Sequence, residues 1–184
     1  MIREHIDRNA PLLITRLTPA QIDGLRDLPL SVDDLGRTAT LDAPEPDHDA
    51  PVVAIVTAGT SDLSVAREAE VAANFMGLRT ELIADVGVAG LWRLEAHLPA
   101  LTAHRLIIAV AGMEGALFSV LAGLVTAPII AVPTSVGYGV AKDGSVALGS
   151  ALGGCAPGVV CVNIDNGFGA AAAAAKILKI AQAL

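Results

Sequence analysis

The run Val52-Val53-Ala54-Ile55-Val56-Thr57 stops at Ala58-Gly59-Thr60-Ser61-Asp62 and gives way to a helix-forming stretch that reaches Ala73. An unbroken apolar run rich in β-branched residues suits a strand buried on both faces, as strands are inside a parallel sheet. Gly59 is the natural turn. Ser61 or Asp62 can accept from the unpartnered amides that open the following helix. Glycine, hydroxyls and a helix start at the carboxyl end of a parallel strand also make a common seat for a phosphate or carboxylate. An ordinary capped turn has the same residues, so this loop alone does not separate structure from function.

Repetition does. The spacing predicts further strands over Thr80–Asp85, Leu106–Val110, Ile129–Val132 and Val159–Val162. Between and after them it predicts helices running to Met76 with Gly77 at the end, then Leu91–Leu101, Glu114–Val125 and an alanine-rich Phe168–Ala183. Strands alternating with helices imply right-handed crossovers and an α/β fold, a parallel sheet with helices on both faces. Ligands in such folds lie beyond the carboxyl ends of the strands. Five loops fall there: Gly59 to Asp62, Asp85 to Gly90, Ala111 to Gly115, Pro133 to Gly139, and Asn163 to Gly169. Each pairs glycine with a polar or acidic residue, which predicts an active-site rim.

Ahead of this domain, Ala43-Pro44-Glu45-Pro46-Asp47-His48-Asp49-Ala50-Pro51 reads as a linker, with His48 solvated. Residues 1–42 form a short N-terminal α+β segment: a strand at Leu12–Thr15, a Thr18-capped helix opened by Pro19 and running through Leu28, then a polar turn and a weak strand over Val32–Leu41. Such pieces must pack on the main domain, residues 52–184, or on another subunit. Hydrophobic residues make up 53% of the 184 and aromatics only 3%, so the core is Ala, Val, Leu and Ile, suited to close helix-on-sheet packing. The same imbalance predicts a homo-oligomer.

A net charge of −7 leaves no basic stripe for a nucleic-acid partner. Gly115 to Ala141 carries no charge, but Pro128, Pro133, Gly123, Gly137 and Gly139 cut it into pieces too short for a membrane span. The N-terminus shows no signal-peptide pattern, and the expectation is a soluble cytoplasmic protein. Cys155 and Cys161 match neither a zinc knuckle nor a redox pair.

Several residues carry chemistry in principle. Cys161 lies inside an apolar strand and reads as a small buried hydrophobe, whereas Cys155 sits in the bend Gly153-Gly154-Cys155-Ala156-Pro157-Gly158, where a thiol can be exposed. Glu114 opens the third predicted helix, where a carboxylate can bind metal, move a proton or simply complement the helix dipole. Asp62 and Asp165 carry the same alternatives. His97 and His104, on or beside the second helix, read as surface histidines. Gly167-Phe168-Gly169-Ala170-Ala171-Ala172 fits a dinucleotide fingerprint, but on the last strand no acidic ribose ligand can follow, so close helix-to-sheet packing is the expected role.

Taken together, Val56 to Asp62, Asp85 to Gly90, Val110 to Ala116, Val132 to Gly139 and Val162 to Ala170 closely resemble the LarB family of nickel-pincer cofactor biosynthesis. The resemblance runs from residue 52 to about 178. LarB's core is similar to the PurE class of aminoimidazole ribonucleotide carboxylases and mutases, which implies a flavodoxin-like parallel sheet and an oligomer. It also implies a reaction: nicotinic acid adenine dinucleotide is carboxylated at ring position 5 and its phosphoanhydride hydrolysed. The products are pyridinium-3,5-biscarboxylic acid mononucleotide and AMP, with carbon dioxide or bicarbonate as co-substrate and magnesium or another divalent metal.

The family's Cys-Ala-Pro-Gly motif puts the covalent nucleophile on Cys155, with Glu114 and Asp62 as further catalytic positions and Glu114 as a metal ligand. Substrate binding would fall on Gly59, Thr60, Ser61, Asp85, Gly112, Met113, Ser135, Gly137, Tyr138, Asn163, Asp165 and Asn166. The chain departs from the family at Phe118, usually proline, at Ala141–Ala147, usually a longer hydrophobic helix, and in residues 1–42, which resemble a shortened N-terminal domain. The alternatives are a PurE-type carboxylase, whose class places a histidine where Met113-Glu114-Gly115 stands, and a non-enzymatic nucleotide-binding module.

Overall fold

The computed structural model describes residues 2–46 and 48–182. Met1, Asp47, Ala183 and Leu184 lie outside the described residues, and with them one acid of the linker and the predicted end of the last helix. The N-terminal segment contains α1 (Ile2–Asp7), β1 (Leu12–Ile14), α2 (Pro19–Leu25), β2 (Ser31–Asp33) and β3 (Thr38–Leu41), with the strands in the antiparallel order β1-β3-β2. Thr18 caps α2 as its sequence predicts. The Thr18 hydroxyl accepts from the Gln21 amide at 3.3 Å, and the Thr18 amide donates to Gln21 Oε1 at 2.9 Å, so two otherwise unpartnered groups are satisfied at once. Where the sequence suggested a turn and one weak strand, β2 and β3 form a hairpin. Helix α1 buries no residue fully, which is why no periodicity announced it.

The main domain runs β4 (Val52–Thr57), α3 (Leu63–Phe75), β5 (Arg79–Ile83), α4 (Leu91–Leu101), β6 (Ile107–Ala111), α5 (Ala116–Leu124), β7 (Ile129–Pro133), α6 (Ser145–Gly153), β8 (Val159–Cys161) and α7 (Gly167–Gln182). Its five strands are all parallel in the order β5-β4-β6-β7-β8. That is the flavodoxin-like order, and the winding reverses between β4 and β6, where a crevice opens beyond the strand ends. Strand residues divide by parity. Val53, Ile55, Ile108, Val110, Ile130 and Val132 face α3 and α7, while Ala54, Val56, Ile107, Ala109, Ile129 and Ala131 face α4, α5 and α6. On the first face small residues dominate, so α3 and α7 pack closely through Ala66, Ala69, Ala73, Ala170, Ala171 and Ala174. On the second, Phe118 fills the space beside Leu94, Leu117 and Leu121.

Three expectations change. Helix α6 supplies the crossover between β7 and β8, in a Gly- and Ala-rich stretch whose apolar residues mark no distinct face. Edge strand β8 is not buried throughout, since Val160 is 57% exposed. Gly167 serves helix-to-helix rather than helix-to-sheet packing: a Cβ there would lie 2.5 Å from the Val65 carbonyl oxygen and 2.9 Å from the Ala69 amide nitrogen, both on α3. Among the described residues no helix is long and apolar enough to cross a membrane. Because the atoms crowding Gly167 are backbone, Gly167→Ala is expected to destabilise the domain by about 1–3 kcal/mol, read by urea unfolding, without altering the oligomeric state.

Candidate active site

Asp62 lies at the reversal between β4 and β6 and is only 3% exposed. It does not cap α3. Its side chain turns back, Oδ2 accepting from the Gly59 amide at 2.9 Å and Oδ1 from the Thr134 hydroxyl at 2.7 Å, with the Gly112 amide also donating to the carboxylate. One carboxylate thus joins the loops after β4, β6 and β7. Burial pushes the Asp62 carboxyl above its ordinary range. The Thr134, Gly59 and Gly112 donors pull it back, and the negative charge of Asp165 adds to the rise.

Beside it a cleft of about 330 Å³ is lined by Gly59, Ser61, Asp62, Gly87, Met113 and Glu114, among others. Its walls are held by backbone. The Met113 amide donates to the Val136 carbonyl at 2.8 Å, and Met113 itself takes the left-handed conformation at φ 53°. At Gly112 a Cβ would collide with that same carbonyl oxygen, so only glycine lets the two loops meet. Glu114 is not the opening residue of a helix: α5 starts at Ala116 behind Gly115, which adopts φ 62°. Glu114 therefore stands in the exposed turn before α5, at the mouth of the cleft, with no helix dipole to complement from within the first turn.

A second cleft, of about 450 Å³, shares Ser61 and Val136 with the first and adds Arg16, Arg37, Glu68, Ser135 and Asp165. Asp165, at φ 54°, accepts the Ser135 amide on Oδ1 at 2.8 Å, and its own carbonyl accepts from Arg16 Nη2 at 2.8 Å. Other predicted binding residues do not line these clefts. Asp85 donates its amide to Thr57 Oγ1 at 3.1 Å and places its carboxylate 3.4 Å from Arg93 Nη2. Asn163 and Asn166 accept the Ile164 and Gly169 amides at 2.9 Å each, in local turns. Thr60 is exposed in the turn before α3, Gly137 sits against the Ala141 carbonyl, and Tyr138 is 77% exposed.

Cys155 is not brought to this rim. It is exposed in the bend that precedes β8, and the Ile129 amide at the start of β7 donates to the carbonyl of Gly158 in that bend. The thiol thus belongs to the amino edge of the sheet, roughly 13 Å along the strands from the carboxyl rim at ~3.3 Å per residue. Cys161 is half-buried, and burial pushes its thiol up. His104 is also unlike its prediction: its ring lies between Glu81 Oε2 at 3.0 Å and the Ala100 carbonyl at 2.9 Å, with 8% of the side chain exposed. No histidine lines either cleft among the described residues.

The model of the family described as AIR carboxylase matches residues 52–184. The chain belongs to the AIR carboxylase family. An uncharacterized protein of Methanocaldococcus jannaschii is 48% identical over 130 residues, which cover 70% of this chain and 50% of that protein. The chain therefore spans about half the length of that curated relative. Crystal structures of Treponema denticola PurE and of a substituted PurE2 from the same organism superimpose with TM-scores of 0.56 and 0.57. Each is 24% identical, with 71% of this chain and 81% of the other covered, a likeness of fold. Within this AIR carboxylase family domain the rim loops read from sequence do line up at one end of the sheet. Sequence reading missed Arg16, Arg37 and Glu68. Two of them sit in the N-terminal segment, and Glu68 lies in a helix whose charged residues look solvated until α7 is packed against it.

The raised carboxyl of Asp62 sets a pH dependence. The folded state holds that proton above the ordinary value of 3.8, so the unfolded chain releases it first as pH rises and folding is progressively disfavoured through that interval. The contribution is fully favourable below the ordinary value and is lost as pH passes the raised one. Asp62→Asn removes the titration, so as pH rises from the ordinary value of 3.8 through the raised one the melting temperature of the wild type is expected to fall relative to the variant's. Parallel curves for the two proteins would place the titration elsewhere.

Proposed function

We propose that the chain carboxylates the pyridinium ring of nicotinic acid adenine dinucleotide and hydrolyses its phosphoanhydride, giving pyridinium-3,5-biscarboxylic acid mononucleotide and AMP. The observation that carries this reading is the cleft at the β4/β6 reversal, whose accessible ionisable group is the carboxylate of Glu114 rather than an imidazole. A pyridinium ring is electron-poor and does not attack carbon dioxide. Thiolate addition beside the target carbon gives a dihydropyridine, whose enamine carbon forms the new bond to carbon dioxide. The proton on that carbon then leaves to a base, the C–S bond breaks, and the pyridinium and the thiolate are both regenerated.

Glu114 is the group assigned to accept the proton, since Asp62 is held in place by its hydrogen bonds. Bicarbonate or carbon dioxide supplies the carbon, and water the oxygen for phosphoanhydride cleavage. Among the described residues no three carboxylate, histidine or cysteine side chains cluster as a metal cage. A magnesium ion, which commonly rests on one or two carboxylates and substrate phosphates, fits this site only with Glu114 and the substrate as ligands, and there it would neutralise phosphate charge.

The nucleophile is Cys155, and its position constrains the assembly. On one chain the thiol is at the wrong edge of the sheet, so this reading requires a second copy to carry Cys155 to the rim. Tyr138 and Val140, 77% and 93% exposed in the loop after β7, are apolar surface beside the rim for such a copy to cover. The protein is thus proposed to work as a homo-oligomer. Family membership favours a second reading, a purine-pathway carboxylase or mutase acting on aminoimidazole ribonucleotide; the absence of a cleft histidine among the described residues weighs against it.

Incubation with the dinucleotide, bicarbonate and magnesium, followed by mass spectrometry, is expected to yield AMP and the dicarboxylated mononucleotide. Turnover of aminoimidazole ribonucleotide instead would select the second reading, and turnover of neither a binding module. Cys155→Ser is expected to abolish carboxylation, and Glu114→Gln to lower turnover by roughly a hundredfold with folding intact. Mixing and reassociating those two inactive variants is expected to restore about a quarter of wild-type activity, because one site in each mixed pair regains both groups. No recovery in verified mixed oligomers would remove Cys155 from a shared site.

A further inference from the structure

We infer that the cleft between the N-terminal sheet and the rim is a seat for a phosphorylated ribose, and that it takes the second nucleotide half of a dinucleotide whose first half occupies the neighbouring cleft. This rests on the dinucleotide reading above. The two clefts, about 450 and 330 Å³, meet at Ser61 and Val136, so a molecule with two nucleoside halves joined through phosphates can cross the Ser61 hydroxyl with one half on each side. The first cleft holds the rim glycines and Glu114; the second has a different chemistry.

Glu68 is the decisive residue. It is 4% exposed on α3, its Oε2 accepts the Phe168 amide at 3.4 Å, and its Oε1 is buried with no hydrogen-bond partner among the described residues. A buried carboxylate oxygen without a donor is costly, and a hydroxyl-bearing ligand in the cleft that Glu68 lines would relieve it. Burial raises this carboxyl, opposed by the Phe168 and Gly167 amides and by the positive charges of Arg16 and Arg37.

Those two arginines line the same cleft, and neither is in an ion pair among the described residues. Arg16 spends one Nη2 bond on the Asp165 carbonyl and Arg37 its Nε on the Leu17 carbonyl at 2.7 Å, which orients both guanidinium groups and leaves further donors for an anion. Both residues adopt the left-handed conformation, at φ 59° and 53°. Side chains other than glycine rarely do so without a tertiary reason, and such outliers concentrate at ligand-holding positions. Paired guanidinium donors facing a buried hydroxyl acceptor match a ribose phosphate: phosphate oxygens to Arg16 and Arg37, a ribose hydroxyl to Glu68. Ser64 and Ser135 complete the polar wall.

Calorimetric titration of the full chain with AMP, ribose 5-phosphate and inorganic phosphate tests this. AMP and ribose 5-phosphate are expected to bind at least about tenfold more tightly than inorganic phosphate, because only they reach Glu68. Arg16→Gln with Arg37→Gln should weaken AMP and ribose 5-phosphate alike by roughly tenfold or more, with Arg16→Lys recovering part of the loss. Glu68→Gln should weaken AMP but not inorganic phosphate, since the amide presents a donor where the acceptor stood. Melting curves confirm that each variant folds; should Glu68→Gln not fold, the exposed Arg16→Gln alone carries the test. AMP binding indifferent to both arginines overturns the proposal, as does AMP bound there but not displaced by the dinucleotide. Arginine-dependent AMP binding that the dinucleotide displaces, in a protein that does not carboxylate it, upholds the seat and overturns the reaction instead.

Discussion

The buried carboxylate of Asp62 is the contact on which the rim depends. It accepts from Gly59, Thr134 and Gly112, and so ties together three loops that belong to three neighbouring strands. Backbone bonds carry on past the strand ends, from the Ala58 amide to Val110, from Thr134 to Ala111 and from Met113 to Val136, and the carboxylate adds a side-chain tie shared by all three loops. An apolar side chain could fill the space but could accept from none of the Gly59, Thr134 and Gly112 donors. Burial disfavours the charge of this carboxyl, and the surrounding donors offset part of that cost. The shape of the cleft, including the glycine at 112 that lets the Val136 carbonyl approach, follows from that arrangement.

The N-terminal sheet extends the rim. It is clamped on α3 by Arg67, whose Nε donates to Asp33 at 2.7 Å and Nη1 to Glu70 at 2.6 Å, and by the Ser64 hydroxyl donating to the Leu35 carbonyl at 2.8 Å. The Arg67 side chain remains 39% exposed, so these pairs fix register more than they stabilise. What the clamp positions is the turn between β2 and β3, where a Cβ on Gly36 would lie 3.0 Å from Arg67 Cγ, and through it Arg37. Arg16 arrives from the other side, in the connection between β1 and α2. Two left-handed arginines on one cleft are therefore a consequence of how a small sheet with its own core is docked, and the strain at each is borne by contacts outside the cleft.

Much of the architecture was legible because the period-two pattern of β4, β6 and β7 places opposite parities against different helices, and because each strand ends in glycine and a polar group. Helix α6 was not legible, since alanine and glycine at every turn leave no stripe. The left-handed backbones at Met113, Asp85 and Asp165 also left no clear mark, as these residue types are unremarkable in a loop. Among the site residues, Gly59, Ser61, Asp62, Gly112, Met113 and Glu114 do meet in one cleft, which loop positions after parallel strands alone require. The role of Asp62 as a tie rather than a cap depends on Thr134, 72 positions away, and long-range partners of that kind have no local signature. Glu68 is harder still: its burial is created by the glycine at 167, which lets α7 approach α3.

Fold and family leave the chemistry to the side chains at the rim, since one sheet with one crevice can serve several reactions. The AIR carboxylase family match fixes the scaffold of residues 52–184, while the cleft offers glycine, hydroxyls and an exposed carboxylate in place of an imidazole. An aminoimidazole ring is electron-rich and can meet carbon dioxide without covalent help, so a proton carrier suffices for it. A pyridinium ring needs a nucleophile first, and the thiol available in this sequence outside the β8 strand is Cys155. Its place at the amino edge of the sheet then has a structural consequence. On the proposed reaction, a thiol that must reach the carboxyl rim cannot do so within a rigid domain, since α6 separates the two ends, and that reaction would call for a closed assembly in which the bend before β8 of one copy meets the rim of another.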